Sequence, residues 1–89
     1  MSLFVKVPLL WATELARIGA SGRTCAVALE LLYQARWGKN VKLTTARLKT
    51  LGVSRRSKWR ALDELSRAGL VHVEKRGNKN PIVRVKFID

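Results

Sequence analysis

Acidic residues are scarce in this chain. Six Asp and Glu stand against eighteen Lys and Arg in 89 residues, a formal charge of +12. From Leu31 to Leu62 there is no acid, yet the same stretch carries Arg36, Lys39, Lys42, Arg47, Lys49, Arg55, Arg56, Lys58 and Arg60. A surface that is merely solvated usually mixes both signs, so a one-signed block points to a polyanion: DNA, RNA or an anionic membrane surface. Cysteine is almost absent as well. Cys25 stands alone, which excludes an intrachain disulfide and suits a reducing, cytoplasmic setting; it reads as a small core residue. Long apolar runs are missing. No uncharged stretch approaches the ~18–20 residues of a membrane helix, and Lys6, Pro8 and Glu14 interrupt the apolar start, so no signal peptide is expected.

Catalytic equipment is thin. His72 is the only histidine, and with Cys25 as the other soft ligand a metal site lacks ligands. Glu14, Glu30 and Glu74 are scattered, and Asp63 and Glu64, adjacent on a helix, point apart, which suits paired acid–base work poorly. There is no nucleophile–base pair and no Gly-rich phosphate loop. The expectation is a protein that is not an enzyme, with no catalytic residue, metal, cofactor or small-molecule ligand.

What is present is enough for one domain over 1–89. Nearly half the residues are hydrophobic, and a chain of this length buries on the order of 60–65% of its unfolded surface. Pro8 suits the start of a first helix running to about Ile18, with Trp11, Leu15 and Ile18 on one stripe and Gly19 as the stop. Ser21-Gly22 opens a second helix to about Trp37, apolar nearly all round, with Glu30 and Gln34 as its polar strip. Val41-Lys42-Leu43 alternates as a short strand. Thr44 caps a short third helix whose first turns include Leu48 and Leu51. In Leu51-Gly52-Val53-Ser54, Gly52 permits a tight turn, Val53 anchors it and Ser54 caps a fourth helix from about Arg55 to Ala68. After Gly69 the period becomes alternating: strands at Leu70 to Val73 and Ile82 to Phe87 flank a polar turn, Glu74 to Pro81.

The segment from Leu43 to Val71, with its Leu51-Gly52-Val53-Ser54-Arg55 turn, spaced Ala61-Leu62 and Leu65, and Ala68-Gly69-Leu70-Val71 leading into a strand, resembles the winged helix-turn-helix of bacterial regulators and of plasmid and phage replication initiators. The start, Phe4 to Leu9 with Trp11, is similar to small proteins of proteobacterial mobile elements. The resemblance implies an α+β, mainly α fold of about four helices with a C-terminal two-stranded wing, the helix-turn-helix at about 44–68 and the wing at about 70–88.

The fourth helix supports a DNA function by its own geometry. At about 100° per residue, Ala61, Leu62, Leu65 and Ala68 face the core, while Arg56, Trp59, Arg60, Asp63 and Arg67 gather opposite. Such a helix fits a major groove, where Arg grips guanine bidentately. Arg56 and Arg60 are the expected base readers, with Arg55 on phosphate or base and Trp59, expected to be exposed, against a thymine methyl or the sugar-phosphate wall. Lys58 occupies a position where the resemblance to these regulators implies an apolar residue; its stem is expected to pack while its ammonium reaches phosphate. Thr44, Thr45, Arg47 and Ser54 complete the expected contacts at the helix starts, and Lys75, Arg76, Asn78 and Lys79 those at the wing tip. Trp11 and Trp37 read as core or dimer contacts rather than base-stacking residues.

The expected partner is double-stranded DNA, bound for transcription control or for replication control of a mobile element. A homodimer through the first helix would let two copies read two half-sites. A protein-interaction module is the alternative of another class. RNA binding lacks its usual marks, an aromatic sheet or a Gly-x-x-Gly loop.

Overall fold

The computed structural model describes residues 7–77 and 79–88. Their order is α1 (Leu9–Arg17), α2 (Gly22–Ala35), β1 (Asn40–Lys42), α3 (Thr45–Lys49), α4 (Arg55–Arg67), β2 (Val71–Arg76) and β3 (Lys79–Val85). The chain is thus a small α+β domain with four helices and a three-stranded antiparallel sheet, in the strand order β1-β3-β2. No helix among the described residues is long and apolar enough to cross a membrane.

The helix ends follow from local chemistry. Ser21, Thr44 and Ser54 each accept the backbone N–H three residues on, at 3.2 Å, and so satisfy a donor that the helix itself leaves free. Pro8 stands just outside α1, in extended conformation, and its carbonyl receives the Ala12 N–H. At the end of α3 the Val53 N–H reaches back to the Leu48 carbonyl and the Gly52 N–H to that of Lys49. This 6→1 and 5→2 pair requires a left-handed residue between helix and exit, and Gly52 supplies it at φ +75°. The turn delivers Val53 into the core and leaves Leu51 exposed, so α3 ends sooner than its Leu48–Leu51 spacing suggested. Leu70 and Gly69 repeat the device at the end of α4.

The core is one cluster. Val27, Ala28 and Leu31 of α2 meet Ala61, Leu62 and Leu65 of α4, and Val41, Val71, Val83 and Val85 close it from the inner face of the sheet. Trp11 joins from α1, fully buried, and its indole N–H donates to the Lys86 carbonyl at 2.7 Å. The stripe expected with it is less buried: Leu15 and Ile18 are only half covered. Cys25 is half-buried. His72 stands on the outer face of the sheet, opposite Arg84.

Three expectations change in the sheet and beside it. The polar stretch 74–81 is mostly strand, not turn: β2 and β3 pair out to Arg76 and Lys79. That end of the hairpin is largely exposed, so polar residues suit the strands there. Pro81 lies within β3, the central strand, where proline is usually excluded. A bulge accommodates it, since Lys75 alone faces Asn80 and Pro81 between the pairs Glu74–Ile82 and Arg76–Lys79. Phe87 does not extend β3. The strand stops at Val85, the Lys86 carbonyl turns to Trp11, and Phe87 sits exposed at φ +57°. Of the two places expected for Trp37, core or dimer contact, the core is excluded, for Trp37 lies beyond α2 and is 69% exposed.

Gly52→Ala tests the α3 exit. A methyl group there meets no atom within 4 Å, so the cost is the left-handed backbone alone, about 1–2 kcal/mol. Urea unfolding should show a lower midpoint with an unchanged slope.

Candidate nucleic-acid interface

Lys58 shares a helix face with Ala61, Leu62 and Leu65, at i+3, i+4 and i+7, and α4 packs that face inward. The lysine is therefore 2% exposed. Its ammonium does not reach outward to solvent. It turns inward and donates to Thr45 Oγ1 at 3.3 Å and Asn80 Oδ1 at 3.2 Å. The Thr45 N–H and hydroxyl donate to the same Asn80 oxygen, at 3.3 and 3.4 Å. The Asn80 carbonyl in turn accepts Arg76 Nε and Nη2, at 3.1 and 3.0 Å. One asparagine thus joins the start of α3, the buried face of α4 and the β2–β3 hairpin. Among the described residues no carboxylate takes part. Burial, reinforced by the charge of Arg55, holds the Lys58 ammonium below its usual 10.5.

Two further polar ties fix α2 to this frame. Arg47 Nε lies 3.1 Å from Glu30 Oε1, and Gln34 donates to the other Glu30 oxygen. The polar strip of α2 therefore faces α3 and not water, for Glu30 is 5% exposed. Thr24 donates to Glu64 at 2.7 Å and so links α2 to α4.

Around this frame the expected contact residues divide. Arg55, Arg56 and Arg60 of α4, and Lys75 and Lys79 of the hairpin, are exposed. Arg47 is about half exposed at its side chain while holding Glu30. Ser54 is exposed and serves as a cap; Thr44 is half-buried and does the same. Thr45, Lys58 and Arg76 are committed to Asn80. Asn78 lies outside the described residues. Asp63 pairs with Arg67 at 3.2 Å, which mutes the far end of the cationic face.

The chain matches no family model, no curated protein and no solved structure.

Trp59 is half-buried and packs against the core cluster, contrary to the exposed position expected for it. The ammoniums of Lys58 and Lys75 lie 5.6 and 5.7 Å from its ring centroid, within cation–π range. With Leu62, Asp63, Ser66, Val73 and Lys75 it lines a cleft of about 360 Å³ between α4 and β2. The indole thus lies between helix and hairpin, against the core. Sequence reasoning missed Asn80 as the organising residue because it read 74–81 as an irregular turn; an asparagine directly before a proline marked the spot only as a turn signal.

Two variants separate the parts of the polar junction. Lys58→Met should match or exceed the wild type in stability at neutral pH, because an apolar side chain replaces an ammonium that has no carboxylate partner. Asn80→Ala should lose about 2–3 kcal/mol, because it takes one of two acceptors from a buried cation and the shared acceptor from both Thr45 donors. The pH dependence has a definite sign. Between the lowered value of Lys58 and 10.5 the unfolded chain binds the proton more tightly than the folded one, so stability rises with pH through that window. Urea titrations from neutral pH to about 10.5 should show this rise in the wild type relative to Lys58→Met.

Proposed function

We propose that the chain is a winged helix-turn-helix domain that binds double-stranded DNA and acts as a transcriptional regulator. α4 is the recognition helix, and the β2–β3 hairpin is the wing that follows the adjacent backbone or minor groove. The observation that carries this is the cation set on α4. Arg55, Arg56 and Arg60 are exposed, and among the described residues none of them takes part in an ion pair. Three uncommitted guanidiniums at the first turns of a helix fit the base edges and phosphates of a major groove. The strand order β1-β3-β2 and the junction at Asn80 support the fold half of the proposal, since they hold an exposed basic hairpin beside α4. Replication control of a mobile element would use the same DNA face.

Leu9 and Leu10 are 82% and 42% exposed on α1. They favour a contact with another protein, and the symmetric choice is a second copy, which would give two recognition helices for two half-sites. Trp11, being core, is not free for that contact.

Duplex affinity should fall steeply with salt. If a monomer neutralises ~4–7 phosphates, log K against log[salt] should slope at about −4 to −6. Arg56→Ala and Arg60→Ala should each cost about 1–3 kcal/mol on a selected site and relax its sequence preference. Lys75→Ala and Lys79→Ala should weaken selected and random duplexes alike. A flat salt dependence, or equal losses on both kinds of DNA for the two arginine variants, removes the base-reading role.

Sedimentation at micromolar concentration should give twice the 10.0 kDa chain mass. Leu9→Glu should return it to the monomer without loss of helical signal, because Leu9 lies outside the core. A monomeric wild type, with or without DNA, ends the dimer proposal.

A further inference from the structure

An open groove of about 450 Å³ runs between α2, β1 and α3. Trp37 and Tyr33 form one wall, edge to face, with ring centroids 5.4 Å apart at 87°. The Arg36 guanidinium sits 4.1 Å from the Trp37 centroid and 4.4 Å from that of Tyr33, and it lies outside the lining of the groove. The indole is therefore held in one orientation and yet remains 69% exposed. A preset aromatic surface of this kind loses little side-chain freedom when something stacks on it.

The floor of the groove is Glu30, whose two oxygens are already taken by Arg47 and Gln34. No free negative charge is left to attract a cationic ligand. The other ionic residue in the lining is Lys42, exposed on β1, with the Asn40 amide beside it. The lining thus combines a flat π surface, an amide, the free charge of Lys42 and the guanidinium nitrogens of Arg47 that its Nε bond to Glu30 leaves open. A peptide bearing Lys or Arg would meet the like charges of Lys42 and Arg47. An acidic peptide would satisfy the cations but offer a ring only where an aromatic residue adjoins the acid, whereas every nucleotide joins a flat base to a phosphate. An unpaired nucleotide satisfies both, with its base on the aromatic surface and its phosphate on the cations.

We propose that this groove binds single-stranded DNA, with a base stacked on Trp37 and the adjoining phosphate held by Lys42 and Arg47. The place of the groove gives the strand a direction. Arg47 belongs to α3, whose Thr45 is bonded to the Asn80 junction beneath α4. A strand leaving the duplex face would reach the groove along α3. That continuity rests on the proposed function; stacking in the groove does not. The chain would then engage a junction between duplex and unpaired DNA.

The probe is an oligodeoxythymidylate of about 12 nucleotides, which has no self-pairing and falls within the site sizes of single-strand binders. In Trp59→Phe, the exposed indole signal comes from Trp37, and titration should quench it. Trp37→Ala should weaken oligonucleotide binding about 10-fold, the range for loss of one stacking side chain. Lys42→Glu, an exposed substitution, should weaken it by at least as much, and it keeps the test decisive if Trp37→Ala alters folding. Both variants should hold a blunt-ended two-strand DNA duplex within about twofold of the wild type, while Arg56→Ala shows the reverse pattern. Equal oligonucleotide affinity in wild type, Trp37→Ala and Lys42→Glu overturns the proposal. So does polyglutamate that quenches as strongly as the oligonucleotide, or oligouridylate bound about 10-fold tighter, which would make the ligand RNA. If the blunt-ended duplex fails to bind while the Trp37 and Lys42 effects on the oligonucleotide persist, the duplex function fails and the groove stands.

Discussion

A lysine ammonium in the interior must find acceptors, and here it finds them on two different elements. Lys58 carries its charge on the buried face of α4, with Thr45 and Asn80 as its partners and no carboxylate to neutralise it. Coulomb repulsion from Arg55 adds to the desolvation cost. Such an arrangement is poor as a source of stability, because an apolar residue of similar volume would avoid the penalty. What it does fix is geometry. The Asn80 side chain can accept these donors only when the hairpin, α3 and α4 stand in one relation. The bulge at Asn80-Pro81 is the local deformation that brings that oxygen inward. The relative placement of the basic helix and the basic hairpin follows from this junction.

The few acids complete the same pattern from the other side. Glu30 and Glu64 lie against the interior and join α2 to α3 and α4. Glu14 and Asp63 are paired within their own helices, with Arg17 and Arg67. Four of the six carboxylates are thereby engaged close to home. Arg55, Arg56, Arg60, Lys75 and Lys79 share the outer surface of α4 and the hairpin with little negative charge. A one-signed field of this kind raises the local concentration of a polyanion and speeds its approach. A scattering of free acids would have cancelled it.

Much of the architecture was legible in the sequence because the punctuation is strong. Gly52, Gly69, Ser21, Thr44 and Ser54 mark helix ends through conformations and caps that few other residues provide, and the order of helices and strands followed. Burial was harder to read. The resemblance to winged helix-turn-helix regulators put the Lys58 stem under the helix, but the general preference of lysine for water argued against leaving its charge there. Glu30 misled in the same way: its position was evident, but its Arg47 partner lies 17 residues away on another helix. The hairpin was misread because a ladder that projects past the core carries no hydrophobic alternation, and so looks like a loop. The burial of Trp37 and Trp59 was hard to read for a related reason. An aromatic residue at the rim of a helix is buried or exposed according to what packs beside it, and sequence spacing does not record that.

The Trp11 indole and the Lys86 carbonyl are separated by 75 positions in the chain. α1 contributes a single fully buried side chain, and its hydrogen-bond acceptor lies beyond the last strand. Closing so long a loop costs more entropy than any local contact. During synthesis α1 emerges before β3, so its anchoring site does not exist until β3 has joined the sheet. Its docking is therefore a late folding event. Until then its leucines and the tryptophan remain in water as an apolar segment open to chaperones or to another unfinished chain.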